Sequence, residues 1–173
     1  MTLKRKIVLL LPILILTIFT MRYFDSFIKN DICTSGITSF ELAKSLDKMT
    51  AIVHSWDTKA LAAINMSMGF DFLFILVYVT FIVLLLKLTI QPLNKTSFRY
   101  KLGKLFIKLT LLAGLFDLVE NIALIRILLG NLSQLNTSIS YYFASAKFAL
   151  LALAILYILI NGLMMLISKN SNK

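Results

Sequence analysis

Residues 106–129 read FIKLTLLAGLFDLVENIALIRILL, and the fold turns on whether this run crosses a membrane. It is long enough, since a hydrocarbon core of about 30 Å takes roughly 20 helical residues. Yet Asp117, Glu120, Asn121 and Arg126 lie inside it. An ionisable side chain at membrane depth costs roughly 2.5–3.5 kcal/mol on insertion scales, so a chain that carries several turns them toward one another or toward water. The spacing fits that demand. Asp117, Glu120 and Asn121 fall at i, i+3 and i+4 on one helical face, and Ala113 and Gly114 occupy the preceding turn. Small residues let another helix approach closely, so this stripe is expected to face protein and not lipid.

Three further apolar stretches have spanning length, about 7–24, 69–88 and 141–167. The 173-residue chain is 59% hydrophobic and only 15% charged, with a mean hydropathy of +0.87, which excludes an ordinary soluble domain. The expected fold is all-α: one integral membrane domain over residues 1–173, a four-helix transmembrane bundle with an amphipathic outer-face helix between spans 1 and 2. Lys4-Arg5-Lys6 before span 1 is also how a secretory signal begins, but no small-x-small cleavage site follows, so a retained anchor is expected. Pro12 should kink that span.

The net charge of +10 would suggest nucleic acid in a soluble protein, but its distribution points elsewhere. Lys4, Arg5 and Lys6 precede span 1; the segment from Lys87 to Lys108, where span 2 ends and span 3 begins, holds Lys87, Lys95, Arg99, Lys101, Lys104 and Lys108 and no acid; Lys169 and Lys173 follow span 4. Cytoplasmic loops retain such bases, so both termini and the second loop belong on the cytoplasmic side of a bacterial inner membrane. In the outer segment, 25–68, bases and acids balance, and 130–140 has no charge. The basicity is a topology signal with membrane lipids as its partner, and no nucleic acid is implied. Cys33 and His54 are each alone in the chain, which excludes an intrachain disulfide, a thiolate metal site and the metal sets built on histidine pairs. No metal and no cofactor is expected.

Within the outer segment, Thr38-Ser39-Phe40-Glu41 has the form of a capping box, and Leu42, Leu46, Met49 and Val53 recur at helical steps among charged residues. This predicts one amphipathic helix from about Thr38 to His54, lying on the membrane surface or over the bundle mouth. Asp57 offers a second N-cap, from which span 2 should run unbroken past Leu88. Gln91-Pro92-Leu93-Asn94 marks the inner turn, and Gly130-Asn131 closes span 3.

Two other spans carry polar groups. Asp71 and Tyr78 share a face of span 2, and Lys147 shares a side of span 4 with Leu151, Ala154 and Asn161. At about 1.5 Å per residue, Asp71 lies about 3 Å below its outer end, Lys147 about 9 Å, Glu120 about 14 Å and Asp117 about 18 Å. Asp71, Tyr78, Asp117, Glu120, Asn121 and Lys147 are therefore the candidate buried polar cluster, in the outer half of the bundle. Arg126 is shallow enough to snorkel and is assigned to the rim. Two readings follow. In one, the charges are interhelical ties that fix which helix packs on which, as in a structural or assembly subunit, alone, as a homo-oligomer or with a partner subunit. In the other they line an outward-facing cavity that binds or transports a small polar or cationic ligand, or, in an enzyme, acts on a lipid headgroup. Three acids against one deep base leave negative charge that a pure tie does not need.

Asp71-Phe72-Leu73-Phe74-x-x-x-Tyr78, Phe116-Asp117-x-x-Glu120-Asn121 and Lys147-Phe148, with the outer pattern ending at Trp56, resemble a family of bacterial four-helix membrane proteins. The resemblance runs from Ser39 to Ile160. It implies a four-span fold and marks Asp71, Tyr78, Asp117, Glu120, Asn121 and Lys147 as the residues that matter, without implying a substrate.

Overall fold

A computed structural model describes the backbone of residues 1–171 and the side chains of 1–165 and 167; the Lys169 side chain and Lys173, both assigned to the last basic tail, lie outside the described residues. The described chain is all-α: α1 (Leu3–Ile28), α2 (Ile37–Glu41), α3 (Leu46–His54), α4 (Thr58–Ile90), α5 (Phe98–Leu128) and α6 (Gln134–Ser171). Three of these helices, α1, α4 and α6, are long and apolar enough to cross a membrane. At 31 residues α5 is also long enough, but Asp117, Glu120 and Arg126 interrupt its apolar stretch.

The helix ends follow from local chemistry. Asp57 caps α4 by accepting a hydrogen bond from the Ala60 amide at 2.8 Å, as the sequence predicts, and Ser97 caps α5 from the Tyr100 amide at 3.2 Å. The α5 C-terminus closes on Gly130, whose φ of +95° suits a glycine, with the Asn131 amide donating to the Arg126 carbonyl at 2.9 Å. Pro12 lies inside α1 without ending it.

The outer segment differs from its expected form. The capping box is not used: α2 is N-capped by Gly36 with no side-chain hydrogen bond, and the chain breaks after Glu41 before α3 restarts on the Ser45 cap. A capping box needs its Glu turned back onto the helix start. Here Phe40 and Glu41 are both buried, and the Glu41 carboxylate points to α6 instead. One helix thus becomes two, of which α3 buries Met49 and Ile52 and leaves Asp47 and Lys48 exposed.

Helix α1 packs on α4, α4 on α5 and α5 on α6, while α6 also meets α4, α2 and α3. The close approach of α4 to α5 occurs at Gly114, where an added Cβ would meet Val79 Cγ2 at 2.8 Å. Two apolar clusters form the core. One, at the α2–α3 end, gathers Phe40, Met49, Ile52, Trp56, Ile64 and Leu124; the other gathers Leu86, Ile90, Ala154 and Tyr157. Trp56 locks the first by donating from Nε1 to the Ile28 carbonyl at 2.9 Å and by an edge contact with Phe40, centroids 5.0 Å apart. Between the two clusters lies a polar layer.

Candidate functional site

Lys147 is the centre of that layer. It is 4% exposed, and its Nζ stands 2.6 Å from Asp117 Oδ1, 2.8 Å from Glu120 Oε2 and 3.4 Å from Glu41 Oε1. Asp117 accepts a second hydrogen bond, through Oδ2, from the Tyr78 hydroxyl at 2.7 Å. Beside this group, Asn121 Nδ2 donates to Asp71 Oδ2 at 2.5 Å. All six residues singled out by spacing and depth therefore meet in one layer between α4, α5 and α6, in two adjoining sets: Lys147 with Asp117, Glu120 and Tyr78, and Asp71 with Asn121.

The geometry separates Glu120 from the rest. Its Oε2 is close enough to Nζ for an ion pair but off the line of a hydrogen bond, so neither carboxylate oxygen has a donor, and the side chain is sealed from solvent. Glu120 ties α5 to α6. Asp71, Tyr78, Asp117 and Lys147 instead border a cavity of about 910 Å³. Its walls come from α1, α4 and α6, with α2 and the turn before it at the polar end; Phe81, Leu85, Leu151 and Leu159 line the apolar remainder. The tie and the cavity, posed as alternatives by the sequence, share one lysine.

Glu41 is the residue that spacing missed. It lies on α2, outside the long helices, and reaches Lys147 across more than a hundred positions of sequence, while the Ser140 hydroxyl donates to its backbone carbonyl at 3.0 Å. The available signal was an acid beside Phe40 in the segment that covers a bundle with one deep lysine. Asn161 moves the other way. It accepts from Arg99 Nε at 2.7 Å near the far core cluster, where the Tyr157 hydroxyl also donates to the Arg99 carbonyl, and it takes no part in the Lys147 layer. Arg126 is exposed, with no ion pair among the described residues.

Among the described residues no group of three or more His, Cys, Asp or Glu side chains is placed to hold a metal ion. The point on which Glu41, Asp117 and Glu120 converge is taken by the Lys147 ammonium. Cys33 is free and fully buried, and burial pushes its thiol up to about 11, which leaves it unreactive at neutral pH.

Burial also pushes the Glu41 carboxyl up to about 7; Lys147 pulls against that rise, and Asp117 and Asp71 add to it. The folded protein then holds the Glu41 proton more tightly than the unfolded chain does. Its contribution to stability is present in acid and is lost as pH rises from the ordinary carboxylate range through about 7. The groups facing Glu41 are Lys147 on α6, Asp117 and Glu120 on α5 and Asp71 on α4. Thermal unfolding in detergent between pH 5 and 8 should show declining stability, and Glu41→Gln should lessen the decline. A wild-type midpoint that climbs with pH would contradict the assignment.

Comparison with protein-family models, with curated proteins and with solved structures finds no match to this chain.

Proposed function

We propose that this chain is a four-span protein of the bacterial inner membrane, with both termini cytoplasmic, that holds the polar end of a small ligand in the Glu41–Asp71–Asp117–Lys147 layer. The fourth span is α5. Its charges Asp117 and Glu120 are buried against α4 and α6, while the outward side chains Leu111, Leu115, Val119 and Ile122 are exposed and apolar. A helix that turns its charges inward and leucines outward is suited to lipid. On this topology the basic α4–α5 connection is cytoplasmic, and α2 and α3 cover the opposite, outer mouth.

The observation that carries the reading is the cavity itself. Ligand sites are typically clefts or cavities of about 300–1,000 Å³ with mostly apolar walls and a few convergent polar groups, and this cleft has that size and make-up. A pure packing device would close on its charges, as Glu120 does. Asp71 and Asp117 instead stand on the wall of a space that continues between apolar side chains. The layer also carries more carboxyls than lysines, which suits a cationic or hydrogen-bond-donating group in the ligand.

Leu151 borders the cavity one helical turn beyond Lys147. Leu151→Trp would push a larger side chain into the space beside Lys147 without touching a charge. Native mass spectrometry of wild type released from its own membranes should show a bound species that the Leu151→Trp protein lacks. If both proteins retain their fold and give the same spectrum, with no bound species in either, the binding reading fails and the packing reading stands.

A further inference from the structure

The cavity has two tiers of charge. The inner tier is the carboxyl-rich layer around Lys147. The outer tier comes from α1 and the turn before α2, where Arg22, Asp25 and Lys29 border the same space. Lys29 is paired to Asp25 at 2.8 Å, and Asp25 also accepts from the Ile37 amide at 2.7 Å. Arg22 is left over: exposed, on the cavity wall, with no ion pair among the described residues. In the inner tier the corresponding group is Asp71. It is 4% exposed and accepts from Asn121 Nδ2 through Oδ2, while no protein donor reaches its other oxygen among the described residues.

One unpaired cation and one half-paired carboxylate thus border one cavity. Their axial offset follows from the α1–α4 register. The Ser67 hydroxyl meets Met21 Sδ at 3.8 Å, which sets Arg22 near the level of Ser67, and Asp71 lies one turn further along α4, about 6 Å on. Beyond Asp71 the walls become apolar through Phe81, Leu85, Leu151 and Leu159.

We propose that the ligand is a membrane lipid with a phosphoethanolamine headgroup, bent at its phosphate: the phosphate sits on Arg22, the ethanolamine arm turns to Asp71 on α4, and the glycerol and an acyl chain leave the phosphate by the other side into the apolar part of the cavity between α1 and α6. This rests on the binding function proposed above and adds the chemistry of the occupant. A phosphate and a primary ammonium joined by two carbons suit an arginine and an aspartate that border one space with an axial offset of about one helical turn. Arg is suited to phosphate through its planar fork of donors, and a primary ammonium can donate to a carboxylate oxygen that lacks a donor. A choline headgroup has no N–H to give Asp71, and a glycerol headgroup offers no positive charge. The apolar walls between α1 and α6 give the chain a place that a soluble phosphoamine would not use.

The test uses the purified full chain in detergent and lysophospholipids of one chain length with ethanolamine, choline or glycerol headgroups, plus phosphoethanolamine without a chain. Hydrogen bonds to charged groups contribute about 1.5–3 kcal/mol, so the ethanolamine lipid should bind about tenfold or more tightly than the choline lipid, read by native mass spectrometry and by the shift in unfolding temperature. Asp71→Asn should erase that preference. Arg22→Gln, at an exposed position whose loss leaves the fold intact, should weaken all three lipids alike. Equal affinity for ethanolamine and choline lipids would overturn the headgroup assignment while leaving a binding cavity in place. Equal binding of phosphoethanolamine without its chain would overturn the lipid assignment. Binding of none of the four would remove this inference, and the function proposed above would then be judged by its own Leu151→Trp comparison.

Discussion

Lys147→Met should destabilise the folded chain by about 3–5 kcal/mol, the range found when one partner of a buried ion pair is removed. The reason is arithmetic of charge more than loss of contact. One ammonium faces the carboxyls of Asp117, Glu120 and Glu41, each buried and two of them within 2.8 Å. Methionine fits the space and keeps the helix, so the change isolates the charge. Without it, Asp117 keeps only the Tyr78 hydroxyl, and Glu120 keeps no neighbour of opposite sign in the layer. Lys147→Arg should recover little. A planar guanidinium favours one carboxylate held edge-on, whereas Nζ is a compact point charge reached from three directions. The cost should shrink when the carboxylate left behind is also neutralised, so Lys147→Met combined with Glu120→Gln should be more stable than the single variant. Denaturant titration in mixed micelles measures all three. A loss below about 1 kcal/mol for Lys147→Met, the size of an exposed pair, would mean that water and not protein solvates these carboxylates.

The layer was legible where its residues recur along one helix. Asp117, Glu120 and Asn121 repeat at helical spacing beside Gly114, and the cost of charge in an apolar run points them inward whatever the neighbours are. Lys147 was legible by the same cost, because a deep base needs an acid. The pairing was not. Nothing in periodicity states that Asn121 takes Asp71 while Asp117 takes Lys147, since that depends on the rotation of α4 and α6 about their axes, which is set by packing over their whole length. Glu41 was hidden for a different reason. Thr38-Ser39-Phe40-Glu41 satisfies a local rule, and local rules win only when no tertiary contact outbids them; the Lys147 ammonium and the burial of Phe40 against Trp56 did so here. Asn161 shows the limit of a stripe. It shares a helical side with Lys147, but fourteen positions put it about 21 Å away along the helix, in the reach of Arg99. The apolar lengths of α1, α4 and α6 were plain from hydropathy, whereas charges interrupt the apolar stretch of α5.

Gly36→Ala should destabilise the chain by about 2–6 kcal/mol, and it should do so by disconnecting Glu41 from the site. Gly36 has φ +60° and ψ −133°, a backbone conformation that side chains rarely adopt, and a Cβ built there would run into the Asp25 carboxyl. Asp25 has no easy retreat. It is buried, paired to Lys29 at 2.8 Å, and accepts the Ile37 amide that opens α2 at 2.7 Å. Either the carboxyl moves and the amide is orphaned, or the turn unwinds and α2 shifts. Both outcomes act on the same five-residue helix, whose last residue is Glu41. Two terms combine, backbone strain of about 1–3 kcal/mol and a lost buried hydrogen bond of similar size. They can be separated. Asp25→Ala alone removes the hydrogen bond and the obstacle together, so adding Gly36→Ala to it should cost only the backbone term, and the two changes should combine to less than their sum. The decisive reading is the pH profile. If Gly36 holds α2 so that Glu41 meets Lys147, Gly36→Ala should show the same lessened decline in stability toward pH 7 as Glu41→Gln. A variant that is destabilised yet keeps the full pH dependence would show that α2 is held by Phe40 alone, and that the turn at Gly36 has no part in forming the site.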